Sequence, residues 1–410
     1  MKTPFENRTI ILGVTGSIAA YKASELASRL AQSGANVDVI LTQSALQFIT
    51  PLTFQSVTGR RAYSDADLWS DQGHVLHISL GKDADLLVIA PVSANTLAKL
   101  AHGLADNLLT VTALAARGPL LVAPAMDGGM FSHAATQANL ETLRQRGVRI
   151  LGPAEGHLAS GMVGPGRMLE PSELQGHIRL ALASDGPLAG KKVVVTAGGT
   201  QEPIDPVRVI ANRSSGKQGF ALAQAALDLG AEVVLISGPV HLATPVGAQR
   251  VEVETTEQMQ TAVMANIPQA EALLMAAAPA DFRPTNPSGQ KIKRKAGVPP
   301  VQLEPNPDIL KAVAGYRAKN GWPRVSVGFA AESQNLLEDA RHKLEGKRLD
   351  MIAANDIGAS DAGFNVDTNR VTLLYAQPVN GSHEEALPLM SKDEVAQIVM
   401  ERVTTLLKAV

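Results

Sequence analysis

Ile10-Ile-Leu-Gly-Val-Thr-Gly-Ser17 and Val193-Val-Val-Thr-Ala-Gly-Gly199 are the two stretches that decide the fold. Each is a short apolar run that passes directly into a glycine-containing turn. Runs of this kind are typical of strands in a parallel sheet that helices cover on both faces. In such folds the turn after the first strand lies at the edge where ligands bind. The sequence therefore predicts two nucleotide-binding α/β domains in series.

Further apolar runs alternate with longer segments of helical spacing in both halves. Between the first two strands, apolar residues from Ala19 to Leu30 recur on one face of a helix. The pattern predicts an α/β fold class with two doubly wound, mainly parallel, Rossmann-like sheets. The predicted strands are Ile10–Val14, Val37–Leu41, Leu86–Ala90, Leu120–Ala123 and Val148–Leu151, then Val193–Ala197, Val233–Ser237, Leu273–Ala277, Val325–Phe329, Met351–Ala354 and Val371–Tyr375.

The polar segment Ala183-Ser-Asp-Gly-Pro-Leu-Ala-Gly190 separates the two halves. Gly and Pro in a polar run after a helix mark a linker. A weak internal similarity supports this division: Ser33-Gly-Ala-Asn-Val-Asp-Val39 and Leu229-Gly-Ala-Glu-Val-Val-Leu235 both lead into the second strand of their half. We place the two domains at residues 1–185 and 186–410.

Composition excludes several classes of partner. The 37 Lys and Arg residues nearly balance 39 Asp and Glu residues. The chain therefore has no excess positive charge whose electrostatic field would attract a polyanion or an anionic membrane. Aromatic residues, at 3%, leave few stacking platforms for single-stranded nucleic acid. The absence of cysteine fits a reducing compartment, and the polar N-terminus lacks the form of a signal peptide. We expect a soluble, cytoplasmic protein that binds neither nucleic acid nor membrane.

Polar residues follow the predicted strands of the first half. Gly16 lets the backbone approach a ligand, while Thr15 and Ser17 offer hydroxyls at a helix N-terminus, as in a phosphate site. The turn has neither the G-x-G-x-x-G nor the P-loop signature, and by itself it is equally well explained as a tight turn. Ser93-Ala-Asn-Thr96 and Pro124-Ala-Met-Asp127 follow later strands and should reach the same edge.

His77 is a candidate catalytic residue. A single His is more often structural than catalytic, but Asp127 and the segment Gly164-Pro-Gly-Arg-Met168 lend it support. We interpret that segment as a flexible loop that folds over a pocket. Met126 and Met130 are better explained by core packing.

Together these segments resemble the flavin-binding decarboxylase family that acts on C-terminal or amide-linked cysteine. The resemblance covers the first half of the chain and implies FMN as cofactor. It implies that His77 is the catalytic base and that Met126, Asp127, Met130 and Arg167 contact the substrate. The FMN-binding positions that it implies are Gly16, Ser17, Ile18, Ser44, Ser93, Ala94, Asn95 and Thr96.

The sequence departs from that family at two positions. Asp127 stands where the family has Asn, and Ser160 stands where the family has the Cys that protonates the product. A carboxylate at 127 repels a substrate carboxylate unless it is neutral, and burial raises the pKa of a carboxyl group. Since a serine hydroxyl is a far weaker acid than a thiol, we expect Ser160 to orient a water or a hydrogen bond at the catalytic site. Our hypothesis is that His77, a water or another acid supplies the proton. The alternative is a flavin domain that releases an enethiol.

The second half carries groups suited to phosphate. Ser214, Ser215 and Gly216 open a helix beside Lys217, which is typical of an anion site. A basic run, Lys291-Ile-Lys-Arg-Lys295, follows later, and Lys343 and Lys347 share one helix face. A basic run alone is usually a solvated face, but several cations around one crevice suit a nucleoside triphosphate.

This half resembles the phosphopantothenate–cysteine ligase domain. The resemblance is carried by Asn212-Arg-Ser-Ser-Gly-Lys217, Ala278-Pro-Ala-Asp-Phe282, Lys291-Ile-Lys293, Asn306-Pro-Asp308, Val327-Gly-Phe-Ala-Ala-Glu332 and Ala354-Asn-Asp356. It implies that CTP activates 4'-phosphopantothenate as an acyl-cytidylate, with Mg²⁺ bridging the CTP phosphates, and that cysteine then displaces CMP. Asn212 would stabilise the acyl-cytidylate and Lys291 the phosphates. The remaining implied substrate positions are Arg208, Met275, Ala276, Ala277, Asp281, Pro307, Asp308, Ile309, Leu310, Phe329, Lys343 and Lys347.

The order of the two domains resembles the bifunctional bacterial enzymes of coenzyme A synthesis, in which the ligase product is the decarboxylase substrate. The resemblance also implies a homo-oligomer that combines decarboxylase trimers with ligase dimers. Two alternatives remain open: a ligase fused to a regulatory flavoprotein, and a flavin domain with a different flavin-dependent reaction. Retention of His77 argues against the regulatory alternative.

Overall fold

The computed structural model describes residues 3–69, 75–293, 301–332, 335–356 and 366–409. The chain divides into two compact units between Ala183 and Ser184, inside the predicted linker. Within the described residues, no helix is both long and apolar enough to cross a membrane.

The first unit is built on a six-stranded sheet with the order β3-β2-β1-β4-β5-β6, in which all five pairings are parallel. Its strands are β1 Thr9–Val14, β2 Asn36–Leu41, β3 Ala62–Ser64, β4 Leu86–Val92, β5 Leu120–Pro124, β6 Arg149–Ile150, β7 Ala154–His157 and β8 Val163–Arg167. Its helices are α1 Ala20–Gln32, α2 Pro51–Thr58, α3 Leu76–Asp83, α4 Ala94–His102, α5 Leu108–Ala115, α6 Gly128–Ser132, α7 Ala134–Gln145 and α8 Pro171–Leu182, with short 3-10 turns at Ala45–Gln47 and Asp65–Trp69.

The second unit contains an eight-stranded sheet with the order β13-β12-β9-β14-β17-β18-β20-β21, parallel as far as β18 and antiparallel beyond it. Its strands are β9 Lys192–Ala197, β10 Gln201–Pro203, β11 Val209–Ala211, β12 Glu232–Ser237, β13 Gln249–Glu252, β14 Ala272–Met275, β15 Phe282–Pro284, β16 Leu303–Pro305, β17 Val325–Glu332, β18 Met351–Asp356, β19 Thr368–Asn369, β20 Val371–Val379, β21 Ser382–Ala386 and β22 Met390–Ser391. Its helices are α9 Lys217–Asp228, α10 Thr256–Asn266, α11 Ile309–Asn320, α12 Leu336–Gly346 and α13 Lys392–Ala409.

Burial on both faces explains why the central strands are continuous apolar runs. In β1, Ile10 and Leu12 pack into the core on one face of the sheet with Leu26 of α1. Ile11 packs into a separate core on the other face with Leu109 of α5. Alternate residues of one strand thus bury against opposite helical layers, as a doubly wound parallel sheet requires. The predicted fold class is confirmed, and every predicted strand overlaps a strand of the structure.

One predicted loop is a strand. Gly164–Met168, which we expected to be flexible, largely belongs to β8, which pairs with β7 in an antiparallel hairpin. The hairpin lies against the loop after β5, where the Met126 amide donates to the Gly166 carbonyl at 3.0 Å. Gly166 has a φ of +142°, and a Cβ there would lie 2.2 Å from the Met126 carbonyl oxygen. This contact depends on tertiary packing, so local glycine content alone misled the sequence prediction.

Gly219→Ala is expected to destabilise the second unit. The added Cβ would lie 2.5 Å from the Ala197 Cβ and 2.8 Å from the Thr196 carbonyl oxygen, so α9 would have to move away from β9. Overpacking of this kind costs about 1–3 kcal/mol of unfolding free energy. Urea unfolding, followed by hydrogen exchange in peptides from α9 and β9, measures the effect.

The matched control is Gly315→Ala in α11. Apart from its chain neighbours and the adjacent backbone of α11 itself, no atom of the described residues lies within 4 Å of the Cβ added there, and alanine is the better helix former. An equal loss of stability in the two variants would contradict the packing argument.

Candidate functional site

Three polar loops meet at the carboxyl edge of the first sheet. The Thr15 hydroxyl donates to the Pro91 carbonyl at 2.8 Å and accepts from the Ser93 amide at 2.9 Å, which ties the turn after β1 to the loop after β4. A Cβ on Gly16 would lie 2.6 Å from the Ser44 Cβ, so the loop after β2 closes on the same turn. The edge is compact because glycine permits this close approach.

The predicted FMN-binding residues are brought together at this edge. Gly16, Ser17 and Ile18 follow β1, Ser44 follows β2, and Ser93–Thr96 follow β4; these three strands are neighbours in the sheet. Ser93 also caps α4, because its hydroxyl accepts from the Thr96 amide at 3.3 Å. The capped helix presents its N-terminus to the same edge, which favours an anionic group there.

A cleft of about 320 Å³, the first cleft, opens beside this edge. It brings Met126, Asp127, Ser160 and Arg167 together with Ser17 and Ile18, as the predicted site requires. Its full lining is Ser17, Ile18, Ala19, Tyr21, Lys22, Ala125, Met126, Asp127, His157, Leu158, Ala159, Ser160, Gly166, Arg167 and Met168.

Asp127 accepts two hydrogen bonds in the first cleft. The Ser160 hydroxyl donates to Oδ2 at 2.6 Å, and the Gly129 amide donates to Oδ1 at 2.9 Å. The Ser160 hydroxyl, followed by the Gly129 N–H, holds the pKa of Asp127 below its ordinary value. The expectation that burial raises this pKa is therefore wrong, because hydrogen bonds to the charged form outweigh desolvation.

The cations of the first cleft are paired with one carboxylate. Glu170 accepts from the Lys22 ammonium at 2.8 Å and from the Arg167 guanidinium at 2.7 Å. The Lys22 hydrogen bond is the main cause of the lowered pKa of Glu170. The sequence predicted no role for Lys22, whose side chain is only 8% exposed, because Lys22 lies in α1, beyond the turn on which the phosphate-site prediction was based.

His77 and Met130 lie elsewhere. His77 is on α3, and it is not among the described residues that line the first cleft. Its Nδ1 is buried and has no hydrogen-bond partner within the described residues. His74 and Gly73, which precede it, lie outside the described residues. Met130 is 52% exposed, so the core-packing interpretation is wrong for Met130, whereas Met126 packs against the core.

In the second unit, a cleft of about 420 Å³, the second cleft, lies at the start of α9. Among its lining residues are the predicted Asn212, Ala276, Ala277, Phe329 and Lys343. The Asn212 side-chain amide donates to the carbonyls of Ala278 and Pro279 at 3.3 and 2.9 Å, and so holds the loop after β14. Asn355, Asn369 and Lys392 also line this cleft and were not predicted. Of these three, only Asn355 belongs to a motif of the ligase resemblance, Ala354-Asn-Asp356.

A third cleft, of about 290 Å³, holds most of the other predicted CTP positions. Phe329 and Ala277 line both the second and the third clefts, so the two are adjacent. Asp308 caps α11 through the Lys311 amide at 3.1 Å and lies 3.5 Å from the Lys347 ammonium. The predicted residues that line the third cleft are Met275, Ala277, Asp281, Pro307, Asp308, Ile309, Leu310, Phe329 and Lys347.

Arg208 and Lys291 line neither of these clefts. Arg208 is paired with the buried carboxylate of Asp205, which also accepts from the Ile292 amide at 3.1 Å. Burial favours a raised pKa for Asp205, but the amides of Val207, Ile292 and Arg208 and the Arg208 charge lower it instead. Asp205 thus anchors the start of the basic run, whose residues Arg294 and Lys295 lie outside the described residues. No group of three or more His, Asp or Glu side chains placed to hold a metal ion occurs within the described residues.

Asp205→Asn is expected to loosen both segments that Asp205 joins. Loss of the charged acceptor should lower the hydrogen-exchange protection of the Val207, Arg208 and Ile292 amides roughly tenfold. Because the pKa of Asp205 is depressed in the folded protein, the protection it confers is complete above the ordinary carboxyl pKa and is lost as pH falls through the depressed value. Asp185→Asn, an exposed change in the linker, is the control; equal protection in both variants would refute the anchoring role.

Two family models match nearly the whole chain: "Flavoprotein" over residues 1–182, and "DNA/pantothenate metabolism flavoprotein C-terminal domain" over residues 188–407. The coenzyme A biosynthesis bifunctional protein CoaBC of Vibrio cholerae is 46% identical over 395 residues, which cover 96% of this chain and 97% of the relative. The Bacillus subtilis protein of the same name is 43% identical over 405 residues, with 98% of each chain covered. A crystal structure of the C-terminal domain of a CoaBC protein covers 55% of this chain and 100% of its own, at 35% identity and a TM-score of 0.46. The chain therefore belongs to the family of coenzyme A biosynthesis bifunctional proteins CoaBC, which confirms the resemblance inferred from its sequence.

Proposed function

We propose that this protein catalyses two steps of coenzyme A biosynthesis. The second unit joins 4'-phosphopantothenate to L-cysteine with CTP through an acyl-cytidylate. The first unit, with FMN, decarboxylates the resulting phosphopantothenoylcysteine to 4'-phosphopantetheine. The observation that carries this proposal is the full-length match to bifunctional relatives, which spans both units. It disfavours both a regulatory flavin domain and a different flavin reaction.

Two adjacent clefts support the ligase assignment, because one suits anionic groups and the other suits a nucleoside. The second cleft combines the N-terminus of α9 with Lys217 and Lys343, a setting that suits phosphate and carboxylate groups. Asp281 and the segment Pro307–Leu310 line the third cleft, where we place the nucleoside of CTP. Phe329 lies between the two, so the reacting carboxylate and the CTP α-phosphate would meet there.

Charge neutralisation during cytidylate formation is assigned to cations around these clefts. We propose that Lys343, Lys347 and Lys291 neutralise the phosphates; Mg²⁺, when bound with CTP, would add positive charge there. Lys291 precedes Ile292, whose amide binds Asp205, so the anchored backbone limits where this lysine can reach. Asn212 is proposed to stabilise the acyl-cytidylate, and Arg208 to contact substrate.

The residues of the first unit fit FMN. The approach of Gly16 to Ser44 and the Thr15–Ser93 hydrogen bond form a compact polar edge for a phosphate. Beside it, Ile18 and Tyr21 are 61% and 63% exposed and offer apolar surface to a ring system. When bound there, FMN supplies reversible two-electron oxidation of the substrate. We propose that Met126 and Arg167 orient the substrate in the first cleft. The family resemblance implies His77 as the base, and His77 is not among the described residues that line this cleft.

We further propose that copies of the chain associate as trimers of the first unit and dimers of the second, and that the protein is cytoplasmic. Exposed apolar side chains of the second unit support an interface between copies. Val207 lies in the connection between β10 and β11, Phe282 in β15 and Leu303 in β16, and each is more than half exposed. Light scattering of the purified protein tests the assembly.

The direct test of function is incubation of the purified protein with FMN, 4'-phosphopantothenate, cysteine, CTP and Mg²⁺. We expect mass spectrometry to detect CMP, phosphopantothenoylcysteine and phosphopantetheine. ATP in place of CTP is the control for nucleotide choice. Ligase product without release of CO2 would refute the decarboxylase half of the proposal.

Asn212→Asp is expected to lower ligase turnover about 10²-fold while CTP still binds. The substitution replaces the amide that donates to the Ala278 and Pro279 carbonyls with a carboxylate that repels them. CMP release measures turnover, and calorimetry measures CTP affinity. Asn320→Asp is the matched control, because the exposed Asn320 amide also donates to a backbone carbonyl, that of Tyr316 at 2.9 Å. Unchanged turnover in Asn212→Asp would count against its role.

A further inference from the structure

The two positions at which the chain departs from the flavin-binding decarboxylase pattern contact each other. Asp127 and Ser160 are separated by 33 positions, yet the Ser160 hydroxyl donates to Asp127 Oδ2 at 2.6 Å. Both side chains line the first cleft. Because each departure supplies the hydrogen-bond partner of the other, we treat Asp127 and Ser160 as one chemical unit.

Backbone geometry places Ser160 against Asp127. The β7–β8 hairpin closes through the amide of Leu158, which donates to the Met162 carbonyl at 2.8 Å, and Ser160 lies in this turn. The Met126 amide binds the Gly166 carbonyl and so fixes the hairpin to the loop that carries Asp127. The Gly129 amide occupies Asp127 Oδ1 and leaves Oδ2 to the serine.

This arrangement decides which proton transfers are feasible. The hydroxyl of Ser160 points its proton at a carboxylate, and the Ser160 and Gly129 donors keep the pKa of Asp127 low. Asp127 is therefore a proton acceptor in the free protein. Ser160 alone is a poor acid, since losing its proton leaves an alkoxide, but a protonated Asp127 can replace that proton across the same hydrogen bond.

We propose that Asp127 and Ser160 form a proton-transfer pair for the decarboxylation: Asp127 accepts the proton of the substrate thiol, and Ser160 delivers a proton to the carbon that loses CO2. The proposal rests on the proposed function and adds to it the route by which the chain compensates for the missing cysteine. Ser160 is the group that contacts the substrate carbon. Asp127 takes the thiol proton directly, in the role of base that the family resemblance implies for His77, and then returns a proton to Ser160.

The steps balance in atoms and electrons. The S–H bond breaks and an O–H bond forms on Asp127. With the carbon–sulfur unit oxidised by two electrons, which FMN would accept, loss of CO2 leaves the electron pair of the broken C–C bond on the substrate, delocalised onto sulfur. A C–H bond then forms with the Ser160 proton, while the Asp127 proton moves to the Ser160 oxygen. The product thiolate takes one proton from water, and the oxidation and reduction supplied by FMN cancel over the cycle.

The surrounding charges are compatible with this role. Glu170 is bound to both Lys22 and Arg167, so neither cation is paired with Asp127. Asp127 is the only carboxylate among the described residues that line the first cleft. The other titratable groups that line it are Tyr21, Lys22, His157 and Arg167, from α1, β7 and β8.

The experiment uses the full-length, FMN-loaded protein and phosphopantothenoylcysteine. It records CO2 release and the ratio of phosphopantetheine to enethiol across acidic and neutral pH. Ser160→Ala and Asp127→Asn should each lower that ratio at least about tenfold, and the double variant should lower it no further, because the two residues act as a unit. Ser160→Thr keeps the hydroxyl and should restore the ratio. Ser56→Ala is the matched control, since Ser56 is an exposed serine whose hydroxyl donates to the Leu52 carbonyl.

A second readout does not depend on turnover. Carboxyl ¹³C NMR should show a higher pKa for Asp127 in Ser160→Ala than in the wild type, and no change in Ser56→Ala. The acidic limb of CO2 release should move to higher pH in Ser160→Ala, because a protonated Asp127 cannot accept the thiol proton.

Two outcomes would refute the proton-transfer pair. One is a wild-type ratio of phosphopantetheine to enethiol in Ser160→Ala; the other is a decrease of this ratio in the double variant that equals the two single-variant decreases combined. Absence of CO2 release from the wild type would instead refute the proposed decarboxylase function itself.

Discussion

Burial of the central parallel strands on both faces is the constraint on which the rest of the structure depends. β1 contributes Ile10 and Leu12 to one core and Ile11 to another, so neither face of the sheet has room for polar chemistry. Candidate site residues are therefore concentrated in the loops that leave the carboxyl ends of the strands and at the helix ends that follow them. The three clefts described above are lined in large part by such loops.

Within that constraint, glycine decides how closely the loops approach. Gly16 lets the turn after β1 contact Ser44, and Gly166 lets the β7–β8 hairpin lie on Met126. In the second unit, a Cβ on Gly238 would lie 2.2 Å from the Gly199 carbonyl oxygen, so the loops after β9 and β12 also require glycine. The two contacts in the first unit join backbone segments that carry candidate site residues, so the site there is set by backbone packing as well as by individual side chains.

Carboxylates organise these loops by accepting backbone N–H groups. Asp205 joins two distant segments, Asp127 caps α6, and Asp308 caps α11 while remaining close to Lys347. Hydrogen bonds to the ionised form explain why the pKa values of Asp205 and Asp127 are lowered despite desolvation. A carboxylate used in this way fixes a loop and places a negative charge in or near the site.

The sequence by itself determined the fold class, the central strands and the family. Apolar runs and short motifs are local features of the sequence. The spacing at which apolar residues recur therefore indicates strands and helices directly. Most of the site residues that the sequence identified line the three clefts, because the carboxyl ends of parallel strands meet at one edge. Short edge strands and ribbons such as β7–β8 were not predicted, since their pairing is decided by partners remote in the chain.

Only the tertiary structure decided how the chemically active groups are paired. It placed Lys22 and Glu170 beside the first cleft, exposed Met130, and left His77 out of the described lining of that cleft. It also reversed the expected direction of the Asp127 pKa shift, because Ser160 donates to that carboxylate. A residue's protonation and partners depend on atoms brought together by folding, and sequence spacing carries no information about contacts across 33 positions of chain.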